Sequence, residues 1–222
     1  MITTAPDAPG VIADLPQDSL VLDIGCFGWR LAQTCAAHGH RMIGLDRAEP
    51  PDRPVEAGFA LMNGVQLDLA DDLGHLTVAS HVLEHLDQPI PFFAELARVT
   101  APGGLIWIEA PSELSAMPRA SDDPADHAFV SFWDDPTHVR PWTPAAFYRL
   151  ALSCQCLPLA CGRAQTGGIP VSRMLARKPL DVQGRPPTTY VSLLGVEPGL
   201  EAAWRAVWPL QTAALKLITG AA

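Results

Sequence analysis

Short runs of apolar residues alternate along the chain with segments in which apolar residues recur every three or four positions. The runs are typical of buried parallel strands, and the spaced segments are typical of amphipathic helices. The first 18 residues are rich in Pro, Asp and Ala and are predicted to have little regular structure. The pattern predicts strands over 19–24, 41–46, 59–62, 76–80, 105–110 and 171–177, and helices over 29–38, 89–100 and 143–153. After the last of these helices, an apolar segment that contains three cysteines is expected to continue as a strand.

Strands that alternate with helices at this spacing predict an open α/β sheet of the doubly wound kind. In such sheets ligands bind beyond the carboxyl ends of the strands. The length of 222 residues fits a single domain over 1–222. Within it we expect an acceptor-side insertion over 112–143, which breaks the strand and helix pattern, and a helical segment over 199–222.

Composition and charge limit the kinds of partner that the chain is expected to bind. Lys and Arg number 15 against 24 Asp and Glu, a net charge of -9, and the cations are not clustered. A nucleic-acid partner is therefore not expected, because binding to a phosphate backbone needs clustered cations. The chain lacks the roughly 20 consecutive apolar residues that span a bilayer, so no membrane span is expected. Five cysteines and an N-terminus unlike a secretion signal predict reduced thiols and a cytoplasmic location.

The first candidate site is the glycine-containing turn between the first strand and the first predicted helix. Gly25 and Gly28 let the backbone turn tightly and let a ligand approach it. Asp46 ends the second strand, where an acid can accept hydrogen bonds from ribose hydroxyls. From these residues alone, a nucleoside-type cofactor site and an ordinary strand-to-helix turn both remain open.

The second candidate site carries a family resemblance. Residues 80–86 read S-H-V-L-E-H-L, and residues 95–104 read E-L-A-R-V-T-A-P-G-G. With these motifs the chain resembles the class I S-adenosylmethionine-dependent methyltransferases, most closely a large bacterial group with S-x-x-V-L-E-H-L. The resemblance covers about 21–112 and resumes at 134–157. It implies a Rossmann-like, mostly parallel sheet of about seven strands with helices on both faces, and S-adenosylmethionine as cofactor with S-adenosylhomocysteine as product.

The resemblance also implies roles for individual residues. Asp46 matches the ribose-binding acid, Asn63 stands where the family has an adenine-side acid, and Asp68 competes for that role. His75 stands where the family has an aspartate at the start of a strand. The expected cofactor-binding residues are Asp23, Gly25, Cys26, Gly28, Asp46, Asn63, Gly64 and Ser80.

One departure from the family pattern affects the cofactor pocket. Phe27 and Trp29 stand where the family has the second and third glycines of D-x-G-x-G-x-G. Their side chains either narrow the pocket or point away from it. In the first case the chain would be a catalytically degenerate binding or scaffold protein with the methyltransferase fold.

The third candidate site is the segment 134–144, which resembles the D-P-x-H-x-x-x-(F/W)-(T/S)-P segment of many such bacterial enzymes. His138, His81 and Asp135 are the candidate catalytic residues, because a histidine can remove a proton near neutral pH. The alternative is that His138 and Asp135 brace the loop ahead of the next helix. No metal site is expected, since the sequence shows no convincing cluster of ligands.

The predicted activity is methyl transfer from S-adenosylmethionine to a small-molecule or glycan-type acceptor. The polar, acidic and aromatic insertion favours O-methylation of a sugar or another hydroxylated small molecule. A small-molecule N-methyltransferase is the next candidate, and the degenerate scaffold is the alternative from another class. The motifs at 80–86 and 102–104 argue against a nicotinamide-dependent oxidoreductase. A monomer or a homodimer is expected.

Overall fold

The computed structural model describes residues 5–63, 65–116 and 132–179. These residues form a layered structure with one eight-stranded sheet at its centre. In chain order the elements are α1 (Ala8–Ala13), β1 (Leu20–Ile24), α2 (Ala32–Ala37), β2 (Arg41–Asp46), β3 (Ala57–Asn63), β4 (Gln66–Leu67), β5 (Gly74–Ser80), α3 (Pro89–Val99), β6 (Thr100–Pro111), α4 (Pro144–Ser153), β7 (Leu157–Thr166) and β8 (Ile169–Arg177).

The sheet has the strand order β4-β3-β2-β1-β5-β6-β8-β7. The five central strands, β3, β2, β1, β5 and β6, are parallel, and β4, β8 and β7 pair antiparallel at the two sides. From β1 the chain adds β2 and β3 on one side of the sheet and then returns to add β5 and β6 on the other side. The order of the strands therefore reverses at β1, between its neighbours β2 and β5. A crevice is expected at that switch point, beyond the carboxyl ends of these strands. The prediction of a mostly parallel, doubly wound sheet is confirmed, with β4 as an additional short strand.

Two apolar cores cover the two faces of the sheet, as the fold prediction requires. On one face, α3 and α4 bury Phe92, Phe93 and Phe147 against the strands. On the other face, α1 and α2 bury residues such as Ile12 and Cys35. Burial on both faces explains why the central strands read as continuous apolar runs.

The structure corrects the prediction for the N-terminal residues, because α1 lies where little regular structure was expected. The Asp7 side chain accepts a hydrogen bond from the amide of Gly10 at 2.8 Å and caps the helix. Val11 and Ile12, which belong to α1, are buried. Six residues are too few to be stable as an isolated helix, so burial of this apolar side stabilises α1.

The helix predicted over 29–38 is shorter in the structure. Gly28 and Trp29 have φ angles of 71° and 53°, which a continuous α-helix does not contain. A 3-10 turn, Phe27–Trp29, therefore separates β1 from α2, which begins at Ala32. The other predicted strands and helices agree with the structure to within a few residues, except that β6 begins five residues earlier than predicted.

All the described residues lie within one compact unit, Met1–Arg185. The helical segment predicted over 199–222 lies outside them, as do Gly64 and residues 117–131 of the insertion predicted over 112–143. A single domain over 1–222 therefore stays a prediction. Within the described residues, every helix is too short or too polar to cross a membrane.

Candidate functional site

The candidate cofactor residues lie at the carboxyl ends of neighbouring parallel strands. Asp23 and Gly25 come from the end of β1 and the turn after it, and Asp46 is the last residue of β2. Asp23 pairs in register with Gly44, so Asp46 lies two positions further toward the carboxyl edge. The sheet therefore brings the first motif and the second-strand acid to one edge of the fold.

Asp23 is a buried carboxyl group, with 5% of its surface exposed. Burial raises the pKa of Asp23 to about 7, Arg30 opposes this rise, and Asp46 adds to it. Near neutral pH the carboxyl is therefore poised between its neutral and ionised forms. A cationic group bound next to it would favour the ionised form.

Gly25 is required by both its backbone and its surroundings. Its φ of 77° lies in the left-handed region, and a Cβ there would lie 2.5 Å from Cγ2 of Val82. Val82 belongs to the motif that follows β5, so the two sequence motifs pack directly on each other. The amides of Gly25 and Cys26 both donate to the carbonyl of Leu45, at 2.7 and 3.1 Å. These two amides are therefore engaged within the fold.

Trp29 points into the apolar core. Its indole packs against Gly44 on β2 and makes an edge-on contact with Phe59 on β3, with 6.2 Å between ring centroids. Its Nε1 donates to the carbonyl of Pro51 at 3.1 Å. The side chain belongs to the apolar core beneath α1 and α2. Of the two possibilities raised by the sequence, Trp29 therefore follows the one that leaves the backbone path intact.

The two residues that precede Gly28 behave differently from Trp29. Phe27 is 72% exposed, so its ring is not packed in the core. Cys26 is buried, and burial, followed by the nearby Asp23 carboxylate, raises the pKa of its thiol to about 12. Cys26 therefore stays a neutral thiol, and its position in the cofactor motif carries no nucleophile.

Three further candidate cofactor residues, Asp46, Asn63 and Ser80, end β2, β3 and β5 at the same edge. Asp46 accepts a hydrogen bond from the amide of Arg47 at 2.7 Å, and it is half-buried. Asn63 ends β3, is exposed and pairs with Gln66 across the short antiparallel ladder. Asp68 is also exposed, so geometry leaves both adenine-side candidates available. Ser80 ends β5 and is half-buried, beside the end of β1.

His81 lies between two buried glutamates. Its Nδ1 is 3.1 Å from Oε1 of Glu84, and its Nε2 is 3.6 Å from Oε1 of Glu109. Burial lowers the pKa of His81, but its contacts with the two glutamates outweigh that effect and bring it to about 9. A protonated imidazole cannot accept a proton at neutral pH. The structure therefore argues against His81 as the general base and makes it a hydrogen-bond donor.

The buried carboxylate of Glu109 is balanced by a cation on the neighbouring strand. Arg173 on β8 donates to Oε2 of Glu109 through its Nε at 2.8 Å, and Thr166 donates to the same oxygen at 3.0 Å. Burial acts to raise the pKa of Glu109, but His81 and Arg173 outweigh it and lower that pKa. The guanidinium of Arg173 also lies over the indole of Trp107, 5.5 Å from its centroid. This network fixes the position of His81.

His138 and Asp135 occupy a short segment ahead of α4. The Nδ1 of His138 donates to the carbonyl of Phe132 at 2.7 Å, and its Nε2 lies 3.7 Å from Oδ2 of Asp135. Asp135 accepts hydrogen bonds from the amide and hydroxyl of Thr137, and these bonds lower its pKa. The amide of Val139 donates to the carbonyl of Glu84 at 2.7 Å, which ties this segment to the turn after β5. These contacts are those of the bracing role, and they also hold His138 at the candidate site.

Two further residues, His75 and Trp142, have clear structural roles. The Nδ1 of His75 accepts a hydrogen bond from the amide of Leu20 at 2.9 Å and thus joins the starts of β5 and β1. Trp142 is buried and stacks on Phe147 with 5.0 Å between the rings, so it belongs to the core. Trp107 is also buried, as expected for a strand residue, whereas Trp133 is 60% exposed.

Comparison with known proteins agrees with this architecture. Residues 22–108 match the family model of the methyltransferase domain. The chain is 32% identical over 117 residues to an uncharacterized methyltransferase of Mycobacterium leprae, covering 46% of this chain and 44% of that protein. It is also 32% identical over 98 residues to a ubiquinone biosynthesis O-methyltransferase of Klebsiella pneumoniae, covering 39% and 40% of the two chains.

Solved structures show the same fold. The chain superposes on the 1,6-didemethyltoxoflavin-N1-methyltransferase of Burkholderia thailandensis, which was solved with S-adenosylhomocysteine, with a TM-score of 0.60 and 21% identity. The superposition covers 78% of this chain and 76% of that one. Residues 22–108 therefore resemble a methyltransferase domain, and the described residues share the fold of that methyltransferase. The chain spans less than half the length of the curated relatives that it matches.

Proposed function

We propose that this chain transfers a methyl group from S-adenosylmethionine to a hydroxyl group of a small molecule or a sugar or glycan-type acceptor. The observation that carries the proposal is the juxtaposition of Asp23, Gly25 and Asp46 at one carboxyl-end edge of a methyltransferase sheet. Asp46 is positioned to accept hydrogen bonds from ribose hydroxyls. Asp23, poised near neutrality, would be ionised by the cationic amine of the methionine part.

The packing of Trp29 supports retained cofactor binding. The degenerate scaffold reading drew on the two bulky residues in the glycine turn. The indole of Trp29 packs in the core against Gly44 and Phe59, and Phe27 is exposed. The turn keeps positive φ angles at the first and third glycine positions of the family pattern, Gly25 and Trp29, and also at Gly28 between them.

The acceptor side favours a hydroxylated molecule. Beyond β5 and β6 the described residues offer hydrogen-bonding groups in the form of the His81 imidazole and the segment with Asp135 and His138. The Klebsiella relative is named as an O-methyltransferase, which supports oxygen as the methylated atom. His138 remains the proposed base among the three catalytic candidates, because His81 is held protonated. Alignment of donor and acceptor supplies much of the acceleration in such a displacement.

The thiols support the proposed cellular location. All five cysteines are free and buried. Burial raises the pKa of Cys156 to about 12 and that of Cys154 to about 11, so these side chains act as small apolar groups. Free thiols in this number fit a reducing compartment, which is the basis for proposing the cytoplasm.

The test is a methyl-transfer assay with S-adenosylmethionine labelled in its methyl group. The purified chain is incubated with separate panels of sugars, phenols and amines, and labelled product is detected by mass spectrometry. We expect label in a sugar or phenol as an ether that survives mild acid and base. Label appearing only in amines would contradict the oxygen assignment. If none of the panels caused release of S-adenosylhomocysteine, the proposed acceptor classes would be wrong.

A further inference from the structure

Three side chains that can bind a metal meet between the turn after β5 and the segment ahead of α4. Glu84 and His85 lie on the 3-10 turn Leu83–His85, and His138 comes from the second segment. A carboxylate oxygen of Glu84 and one ring nitrogen of each histidine all lie within 4.8 Å of one another. The hydrogen bond from the amide of Val139 to the carbonyl of Glu84 fixes the two segments together.

Glu84 carries the first sign of a missing ligand. The residue is fully buried, and its Oε1 contacts Nδ1 of His81 at 3.1 Å. Its Oε2 has no hydrogen-bond partner among the described residues. Leaving a buried carboxylate oxygen without a partner is costly, so such an atom commonly has a bound water or ion.

The hydrogen bonds of the two histidines carry the second sign. The Nδ1 of His138 donates to a carbonyl, so a neutral His138 ring would have its lone pair on Nε2. The Nδ1 of His85 lies 2.9 Å from the hydroxyl oxygen of Thr137. That hydroxyl gives its own hydrogen to Asp135 at 2.6 Å, so His85 must donate to it. With both rings neutral, each would have its lone pair on Nε2, in the arrangement in which metal-binding histidines donate their other nitrogen to a protein acceptor.

Asp135 carries the third sign. Its Oδ2 lies 3.7 Å from Nε2 of His138. A carboxylate beside an imidazole nitrogen calls for a positive charge, either a proton on that nitrogen or a cation bound between the two groups. A cation at this place would satisfy both groups and the orphaned oxygen of Glu84.

We propose that Glu84, His85 and His138 bind a divalent transition-metal ion of the zinc type, with a coordination position left open. Two imidazoles and one carboxylate suit zinc or a neighbouring first-row ion, whereas magnesium and calcium prefer oxygen ligands. Bonds of roughly 2.0–2.1 Å place such ligands about 3.3 Å apart, so the three atoms must close in around the ion. His85 is exposed and can make that adjustment.

The open position would lie at the carboxyl-end edge that also holds His81. Three protein ligands leave room for a water molecule or for an oxygen of a bound molecule, as in zinc sites with an open position. Asp135 is close enough to serve as a further ligand or to balance charge. Metal binding at these residues is measured without cofactor or acceptor, and it would make His138 a metal ligand in place of the free base proposed above.

The test starts from the full chain freed of metal by dialysis against a chelator. Zinc is titrated calorimetrically against the wild type, His85→Ala and the control His38→Ala. His85 is chosen because it is exposed, so its removal should not disturb folding, and His38 is a similarly exposed histidine at the end of α2. We expect one tight equivalent in the wild type and the control, and at least a tenfold weaker affinity in His85→Ala. Equal affinities in all three, or no binding by a folded wild type, would overturn the proposal.

Cobalt replaces zinc in a second measurement that reports the ligand type. A site of imidazole and carboxylate ligands gives weak visible absorption bands and lacks the intense near-ultraviolet band of a cobalt–thiolate bond. We expect that spectrum in the wild type and its loss in Glu84→Gln, with far-ultraviolet circular dichroism as the check on folding. An intense thiolate band would assign the metal to cysteines and contradict the proposed ligands.

Discussion

The indole of Trp29 packs so closely on Gly44 that a Cβ added to Gly44 would lie 2.5 Å from Cζ3 of the ring. The same Cβ would meet Cys26, at 2.6 Å from its Sγ. The absent side chain on β2 thus makes room for a tryptophan in the turn after β1. This packing lets the chain carry a bulky residue in the candidate cofactor motif with the indole buried in the core.

Gly44→Ala should destabilise the protein by about 1–3 kcal/mol, because the new methyl group overpacks the core against two buried side chains. The free energy of unfolding in denaturant measures this loss. The control is Gly58→Ala on β3, where the Cβ would lie 3.2 Å from a side-chain carbon of Ile43 and where the chain is exposed. An equal loss in both variants would mean that Trp29 has room to move.

Arg173→Met should cost about 3–5 kcal/mol, because it leaves the buried carboxylate of Glu109 without its closest cation. The matched control is Arg163→Met, which removes a more exposed arginine from its pair with Glu113 and should cost at most about 1 kcal/mol. Thermal and chemical unfolding compare the two variants. A small effect at Arg173 would show that His81 alone compensates Glu109.

Asp23→Asn should change how stability depends on pH. The pKa of Asp23 in the folded protein, about 7, lies above its value in the unfolded chain, so the folded state binds the proton more tightly. The stabilisation from this group is therefore fully present below about pH 4. It declines by a few kcal/mol as the pH rises toward 7, because each unit of pKa difference between the folded and unfolded states is worth about 1.4 kcal/mol. The asparagine variant should lack that decline and be the more stable protein at pH 8. The free energy of unfolding is measured over this pH range for the wild type, Asp23→Asn and the control Asp14→Asn, which changes an exposed aspartate. Parallel curves for all three proteins would show that Asp23 does not cause the decline.

Asp46→Ala should weaken binding of S-adenosylhomocysteine roughly tenfold or more, because charge-assisted hydrogen bonds to ribose are worth about 1.5–3 kcal/mol. Calorimetric titration measures the affinity. The control is Glu56→Ala, which removes an exposed carboxylate just before β3, at the opposite edge of the sheet. Unchanged binding in Asp46→Ala would place the cofactor elsewhere.

Local sequence patterns predicted much of the sheet. β2 was predicted at its observed bounds, because an apolar run ends there at Asp46 and loop-forming prolines follow. The helix α1 was missed because its stability comes from burial of Val11 and Ile12, which the composition of the first residues does not reveal. Its signals were Asp7 as a cap and Pro9 in the first turn.

The candidate site was predictable only in part, because tertiary contacts decide the rest. Motif spacing placed Asp23 and Asp46 on neighbouring strands. The raised pKa of His81 depends on Glu109, which belongs to none of the sequence motifs. The cluster of Glu84, His85 and His138 joins two segments far apart in the chain, so no metal site was predicted.

The most direct test of the central claim is calorimetric titration of the purified wild-type chain with S-adenosylmethionine and, separately, S-adenosylhomocysteine. With Trp29 buried against Gly44 and Phe27 exposed, we predict binding of both in the micromolar range. A folded protein that binds neither at millimolar concentration would contradict the account, and the chain would then be a scaffold with a methyltransferase fold.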